Sequence, residues 1–499
     1  MDDLPEDICQ HIHALMPLRD AARVACVSHT FLRSWRCHPN LTFSQESLGL
    51  NEDIGNHERT RDLVSKADHI LKSHSGIGMK KLKLELFDCH KVDSCYINSW
   101  LQIAVTAGIE ELAVFLPHIP KEPFNFPCSL LFNGSDSPIR YLHIAICAFR
   151  PTPGLGCWRS LATLYLSNVR IADDELECLL SSCAALECLG LVNCREIVCL
   201  KIPCVLQRLR FLGVEVCRKL QVIDINAPNI STFHFCGSLQ SISFGRALQV
   251  KIVDIEYLRF RRTNIVWNAR AKIFSFAPNV ETLVMSSYDE MIYTTMLSCK
   301  FLHLKYLHIS LFGDEAISPA YDYLSLVSFL EASPCLETFI FEVRQPEMKH
   351  DSVIGDSSHL RRLPQQRHNS LKSVSIVGFC SAKSLVELTC HIVENTTSLE
   401  RLTLDTTHGC HSAGGCTIDE RRRSYYAGSD RITAPRDTCR PMGPDILVEA
   451  PRALLAIRTH IAGIVPPRVV LKVVEPCSQC HDAEELHSYV RFHRPYFVS

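Results

Sequence analysis

Ser160–Cys194 reads SLATLYLSNVRIADDELECLLSSCAALECLGLVNC. The pattern apolar-x-x-apolar-x-apolar occurs twice in it, at Leu161, Leu164 and Leu166 and again at Leu186, Leu189 and Leu191. The last two apolar positions of each copy stand two residues apart, as the buried side of a strand requires. Between the copies, Leu176, Leu179, Leu180 and Cys183 recur at helical spacing, with Asp173 or Asp174 available as a cap, so the stretch reads strand, helix, strand. Cys194 follows the second copy at the point where a small buried side chain fills the turn beneath the strand. One such unit cannot bury its own apolar face. Stacked copies can, which predicts a solenoid.

The signature recurs at Met79, Ile109, Ile139, Leu161, Leu186, Leu206, Ile230, Val250, Val280, Leu304, Leu336, Leu371 and Leu399, with separations mostly of 20 to 35 residues that bracket the leucine-rich repeat. Ala-Pro-Asn precedes both Ile230 and Val280, placing a proline where it harms strand pairing least. YDYLSLVSFLEA sets Leu326, Phe329 and Leu330 at helical spacing as another return segment. The expected fold is α/β, an irregular leucine-rich solenoid behind a short helical N-terminus. Residues alternating with the buried aliphatics face the concave side: Lys83, Glu85, Phe115, His143, Tyr165, Arg210, His234, Asp254, Tyr306 and His308. Singly, each is an ordinary solvated sheet residue. Together, aromatic anchors with His and charges suit a protein-binding surface, and Phe115, His143, Tyr165, Arg210, His234, Asp254, Tyr306 and His308 are the candidate target contacts.

The N-terminus, LPEDICQHIHALMPLRDAARVACVSHTFLRSWRCHPNLTF from Leu4, predicts three short helices. Glu6 and Asp7 suit the positive end of the first; Ile8, Ile12, Leu15 and Met16 form its apolar face, and Pro17 ends it. Asp20 is available to cap a second helix, and Ser28 a third that carries Phe31, Leu32 and Trp35. A segment near the ~40-residue limit for an independent core needs another surface. The plainer reading is a helical cap on the solenoid. The order of Leu4-Pro5, Ile8, Ile12, Met16-Pro17-Leu18, Asp20, Arg23, Val27, Phe31 and Trp35 resembles an F-box, the motif that docks substrate receptors onto the Skp-type adaptor of cullin–RING ubiquitin ligases. Ala21 and Ala22 stand where that family often has larger aliphatics. The resemblance implies adaptor contacts at Leu4, Pro5, Ile8, Ile12, Met16, Pro17, Val27, Phe31 and Trp35.

SLKSVSIVGFCSAKSLVELTCHIVENTTSLERLTL reads strand, helix, strand, with Asn395 placed to stop the helix in the left-handed conformation. It resembles the FBD segment of plant F-box proteins, and with the F-box it makes the chain similar to the plant F-box/FBD/leucine-rich-repeat group. The expected organisation is F-box 1–43, solenoid 44–365, FBD-like repeats 366–405, a Gly/Ser/Arg/Pro-rich mobile loop 406–444, a closing helix and strand 445–475 and a tail 476–499. Pro451 is expected at the first position of the closing helix, PRALLAIRTHI, ahead of the strand RVVLKVV. A second loop is expected over 351–370.

With 46% hydrophobic and 21% charged residues and a net charge of −2, the chain can bury a large core and carries no electrostatic footprint for nucleic acid or anionic membrane. No secretory signal and no apolar run of ~18 residues is present, which points to the cytoplasm or nucleus and to 25 reduced cysteines. Cys477-x-x-Cys480-His481 has haem c attachment spacing, or half a zinc site completed by His408, Cys410, His411 and Cys416; unpaired surface residues are the reading adopted, with no metal and no cofactor. GxxxxGK[ST], HExxH and GxSxG are absent, so no catalysis is expected. The resemblance implies a non-catalytic SCF-type substrate receptor that binds the adaptor, through it cullin, and a target protein. The rival readings are a leucine-rich scaffold without a ligase role and a hormone-like small-ligand receptor.

Overall fold

The computed structural model describes residues 6–27, 29–50, 53, 55–117, 123–131, 137–151, 158–237, 241–243, 245, 249–256, 277–288, 300–312, 321–345, 350–355, 359–364, 366–407 and 444–476. The chain divides into two compact units, Met1–Gln249 and Val250–Ser499.

The first unit begins with α1 (Glu6–Leu15), α2 (Leu18–Ala25) and α3 (His29–Arg36). Pro17, and not Asp20, stands at the start of α2, because the Pro17 carbonyl already accepts from Asp20 N at 2.9 Å and Ala21 N at 3.0 Å. Asp20 therefore falls in the first turn, where it pairs with Arg23. Ser28 lies outside the described residues. There follow β1 (Asn40–Phe43), α4 (Asn56–Ser73), β2 (Lys81–Glu85), α5 (Ser94–Thr106), β3 (Glu111–Phe115), β4 (Phe124–Asn125), β5 (Tyr141–Ala145), β6 (Cys147–Ala148) and β7 (Thr163–Ser167). After α6 (Asp173–Ser181) come β8 (Cys188–Val192), β9 (Cys199–Ile202), β10 (Phe211–Glu215), β11 (Val222–Ile225), β12 (Thr232–Cys236) and β13 (Ser241–Ser243).

Strands β1, β2, β3, β5, β7, β8, β10 and β12 lie side by side in that order, all parallel. Their register puts Leu82, Leu112, Leu142, Leu164, Leu189, Leu212 and Phe233 in one buried row, each fully screened from solvent. Burying one such side chain is worth about 1.5–3 kcal/mol, so the repeated leucines account for the ladder. The copy expected from Leu206 starts instead at Leu209, since Phe211 pairs with Cys188 and Thr232. Both Leu206-x-x-Leu209-x-Phe211 and Leu209-x-x-Leu212-x-Val214 satisfy the signature; the parallel ladder selects the second.

The return segment between β7 and β8 is the expected helix, but Asp173 does not cap it. Ala172 stands at the cap, and the Asp173 carboxylate accepts from Val198 N at 2.8 Å and Cys199 N at 3.0 Å in the next repeat. Further on, strands replace helices: β9, β11 and β13 form a separate three-stranded parallel sheet. Cys194 is buried with its thiol 3.5 Å from the Leu166 carbonyl of the preceding repeat, and Cys217 repeats the arrangement one repeat later, 3.9 Å from Leu191 O. Each strand from β5 to β10 in the main ladder is followed directly by a residue of positive φ: Ile146 (64°), Asn168 (53°), Asn193 (50°) and Val216 (56°). Asn tolerates this conformation; a β-branched residue is strained in it.

In the second unit β14 (Ile252–Glu256), β15 (Thr282–Tyr288), β16 (Tyr306–Phe312), β17 (Thr338–Arg344), β18 (Ser373–Val377), β19 (Arg401–Asp405) and β20 (Val470–Val474) form a parallel run in sequence order. A 3₁₀ turn at Tyr323–Leu326 leads into α7 (Val327–Ala332), followed by α8 (Lys383–Asn395) and α9 (Pro444–Ala456), which runs on into a π-helical turn at Ile457–Ile461. Asn395 is the last helical residue and not left-handed; its side chain donates to His391 O at 2.9 Å, and the chain becomes extended at Thr396. Pro444, not Pro451, takes the first position of α9, and Pro451 lies inside the helix. Of the stretch expected as a loop over 351–370, the described residues are irregular but tied down. Arg361 donates to Glu387 Oε1 through its backbone N (2.7 Å) and to Glu387 Oε2 through Nε (2.8 Å), and forks onto Asp322 at 2.8 and 2.9 Å. Of the expected mobile loop, 408–443 lies outside the described residues, while Thr406 and Thr407 are buried.

The residue just before each strand from β14 to β19 alternates in charge: Lys251, Glu281, Lys305, Glu337, Lys372, Glu400. The carbonyl of each of the first five accepts two N–H groups from the next repeat, as Glu281 O does from Lys305 N (2.9 Å) and Tyr306 N (3.1 Å). The side chains pair along the row, Lys251 with Glu281 at 2.9 Å and Lys372 with Glu337 at 3.0 Å.

Candidate functional site

Two surfaces merit description, the N-terminal helices and the solvent face of the strands. In the helices Leu18, Ala21, Ala25 and Phe31 are buried, with Phe31 against the His13 ring at 5.4 Å. Trp35 is half-buried and approaches His13 and His38 edge-on. Met16 is half-buried and Pro17 exposed. Ile8 (43%), Ile12 (40%), Leu15 (75%) and Val27 (81%) are left to solvent. Ile8, Ile12 and Leu15 recur at helical spacing along α1, so the apolar stripe has no partner among the described residues. Leu4 and Pro5 lie outside the described residues.

On the solvent face of the first unit, one register column runs Lys83, Ala113, His143, Tyr165, Gly190, Gly213, His234. Phe115 packs edge-on against His143 at 4.6 Å with the Lys83 ammonium 5.8 Å from its centroid, and Tyr165 lies 5.4 Å beyond His143. His143 Nε2 meets Ser167 Oγ at 3.2 Å, and burial, aided by Lys83, pushes its imidazole down to about 4. It is neutral at pH 7. The Tyr165 hydroxyl reaches the Cys188 thiol at 3.0 Å, and its ring covers Gly190 so closely that a Cβ there would lie 2.2 Å from Cδ1. Gly190 is therefore required by the ring, not by its backbone angles.

Further along the face, His234 Nε2 stands 3.3 Å from the buried Glu215 carboxylate. Arg210 falls outside this column: by the register of β10, Gly213 takes the place expected for it, and Arg210 is exposed ahead of the strand. In the second unit Asp254, Tyr306 and His308 are half-buried on the solvent face. His308 Nε2 lies 3.1 Å from Ser310 Oγ and 3.7 Å from Glu342 Oε2. Burial works against the Glu342 charge, but the bonds from His308 and Arg344 outweigh it and pull the carboxyl down to about 2. Arg344 Nε donates to Glu342 at 2.7 Å and its guanidinium lies 5.4 Å over Phe312. Glu215 and Glu342 were not anticipated, although each sits two residues beyond a column position that the strand alternation fixes.

Among the described residues no three His, Cys, Asp or Glu side chains gather as metal ligands, and Cys477, Cys480, His481, His408, Cys410, His411 and Cys416 lie outside them. No helix among the described residues is long and apolar enough to cross a membrane.

Three short helices with an unpartnered apolar stripe, continued by parallel ladders of leucine-rich strands, define a repeat protein with an N-terminal docking module. The profile of the At1g61320/AtMIF1 leucine-rich-repeat domain matches residues 70–478, and the chain belongs to that family. The F-box domain profile matches residues 1–42. Relatives from Arabidopsis thaliana include the FBD-associated F-box protein At1g66310, 22% identical over 446 residues (83% of this chain, 92% of that one). The F-box/FBD/LRR-repeat protein At5g56420 is 22% identical over 374 residues (74% and 79%). The FBD-associated F-box protein At5g56370 is 29% identical over 194 residues, a match covering 38% of this chain and 42% of that one.

Proposed function

We propose that the chain is the substrate-recognition subunit of an SCF-type cullin–RING ubiquitin ligase. Its N-terminal helices bind a Skp-type adaptor, and through it cullin, while the solvent face of the strands holds a target protein. The observation that carries this reading is the exposed stripe Ile8, Ile12 and Leu15 with Val27, an apolar surface inside a segment matched by the F-box profile. A solenoid needing only a cap would turn these residues inward. The receptor does no bond chemistry; it raises the effective concentration of the target for chemistry carried out elsewhere.

The target contact is assigned to Phe115, His143, Tyr165 and His234 in the first unit and to Asp254, Tyr306 and His308 in the second. Rings on rigid strands supply large contact area at small entropic loss. Arg210, ahead of its strand, is a rim contact in this reading. The adaptor contact is assigned to Leu4, Pro5, Ile8, Ile12, Met16, Pro17 and Val27, with Phe31 and Trp35 holding the helices beneath them. Purified adaptor titrated onto the full chain tests this: Ile8→Glu with Ile12→Glu is expected to weaken binding at least tenfold while thermal stability stays unchanged. Equal affinity in the double variant would remove the assignment. A ligand-dependent gain in target binding would favour the small-ligand receptor instead.

A further inference from the structure

We propose that His38 and His74, linked through His13 to α2, form an acid-sensitive clasp that holds the N-terminal helices on the first repeat and lets them come loose at mildly acidic pH while the strands stay folded. His13, on α1, meets Ala21 O of α2 through Nε2 at 2.9 Å. His38, just ahead of β1, meets His13 O through Nε2 at 3.1 Å. His74, just past α4, meets His38 O through Nε2 at 3.0 Å. One relay thus runs from α4 through the start of β1 to α1 and α2.

The tautomers are fixed from both sides. His38 Nδ1 accepts from Asn40 N at 3.2 Å and His74 Nδ1 accepts from Gly76 N at 3.0 Å. Each ring therefore donates at Nε2 and accepts at Nδ1, which only neutral imidazole can do. A second proton would sit on Nδ1 and face a backbone N–H, so one bond of the relay turns repulsive. Among the described residues His13 Nδ1 has no hydrogen-bond partner, so His13 enters the relay through Nε2 alone.

Burial outweighs the backbone bonds that favour the cation on His38 and His74. His38 is packed by His13 at 6.1 Å and Trp35 at 6.0 Å, and the backbone of Met16 and Asn40 bonds to it. Burial, then the neighbouring His13, lowers its affinity for a proton; the one titratable group that bears on it is another imidazole. Burial lowers that of His74 too, and among the described residues no charged side chain bears on that ring. Both folded-state values lie below the unfolded value near 6.5, so the clasp is complete above that pH and weakens as pH falls through and below it.

The test is amide hydrogen exchange on the full chain at pH 7.5 and 5.5, corrected for intrinsic rates. Peptides from α1, α2 and α3 are expected to lose at least tenfold in protection at pH 5.5, while peptides from β5, β7 and β8 keep theirs. His38→Gln with His74→Gln retains a donor at the Nε2 position and cannot titrate; it is expected to hold protection at both pH values. Imidazole proton NMR on the unsubstituted chain is the variant-free arm. Unchanged protection of α1–α3 at pH 5.5, or ordinary titration of His38 and His74 near 6.5, overturns the proposal.

Discussion

The two ends of the chain use buried polar groups in opposite ways. At the N-terminal end, His13, His38 and His74 bond to backbone carbonyls through Nε2, and burial lowers the proton affinity of His38 and His74. At the C-terminal end the buried groups are carboxylates: Glu387 under Arg361, and Glu449, which accepts from Ser381 N at 2.7 Å and lies 3.2 Å from His350 Nε2. His368 and His391, 5.9 Å apart, are the neutral pair at this end. A neutral ring costs little to bury but fails as soon as it is protonated. A buried carboxylate costs several kcal/mol to desolvate; burial works against the Glu449 charge, but the bonds from His350 and Ser381 outweigh it and hold its carboxyl below the ordinary value. The histidine relay and the Glu449 carboxylate should therefore respond to acid in different windows.

Glu387→Ala cuts deepest into this comparison. It removes one of the two carboxylates that hold Arg361 and the acceptor of the Arg361 backbone N–H, while Asp322 keeps the half-exposed guanidinium, for an expected loss of about 2 kcal/mol in the second unit. Urea unfolding reads it; a loss under about 0.5 kcal/mol would mean that the carboxylate does not hold that end. Next in size is Glu342. Its carboxyl is drawn down to about 2, so its stabilisation is present above the ordinary value of 4.5 and lost as pH falls toward 2. Glu342→Gln should flatten the slope of stability between those pH values, by about 1–2 kcal/mol over the interval. A slope equal to that of the unsubstituted chain would discard the ion cluster as a source of stability.

Gly190→Ala places a Cβ 2.2 Å from a Tyr165 ring atom, so the ring must swing away. The expected cost is about 1 kcal/mol, with a change in target affinity and none in adaptor affinity. Unaltered target binding would move the contact off this column. The smallest effect has the opposite sign. Val216 is half-buried with φ 56°, where the second unit has Gly378 at φ 77° just past its own strand β18. Val216→Asn should raise stability by up to about 1 kcal/mol, seen as a higher thermal midpoint.

The strands were legible because Leu, Ile and Val recur with the spacing that burial on one face demands. Leu206 against Leu209 marks the limit of that signal: two overlapping copies fit, and only pairing with β8 and β12 decides between them. Strand β1 was hidden because Leu41 and Phe43 fall inside the segment resembling an F-box. The short β9, β11 and β13 replace helices where Leu200, Ile202, Ile223 and Ile225 alternate, a period of two that was readable but brief. The exposed stripe on α1 followed from its periodicity. The histidine relay did not, since its partners are carbonyls 8, 25 and 36 residues away and no local pattern encodes them. Glu387 and Glu449 were silent for the same reason.

The alternating row Lys251, Glu281, Lys305, Glu337, Lys372, Glu400 carries a consequence for descent. Each exposed pair is worth only a fraction of a kcal/mol, but the row has a parity. Losing or duplicating one repeat would set two lysines or two glutamates on neighbouring strands, while a change by two repeats preserves the alternation. Lineages of such a chain should gain and lose repeats of this unit in pairs, and an odd change should be accompanied by a charge reversal in the row.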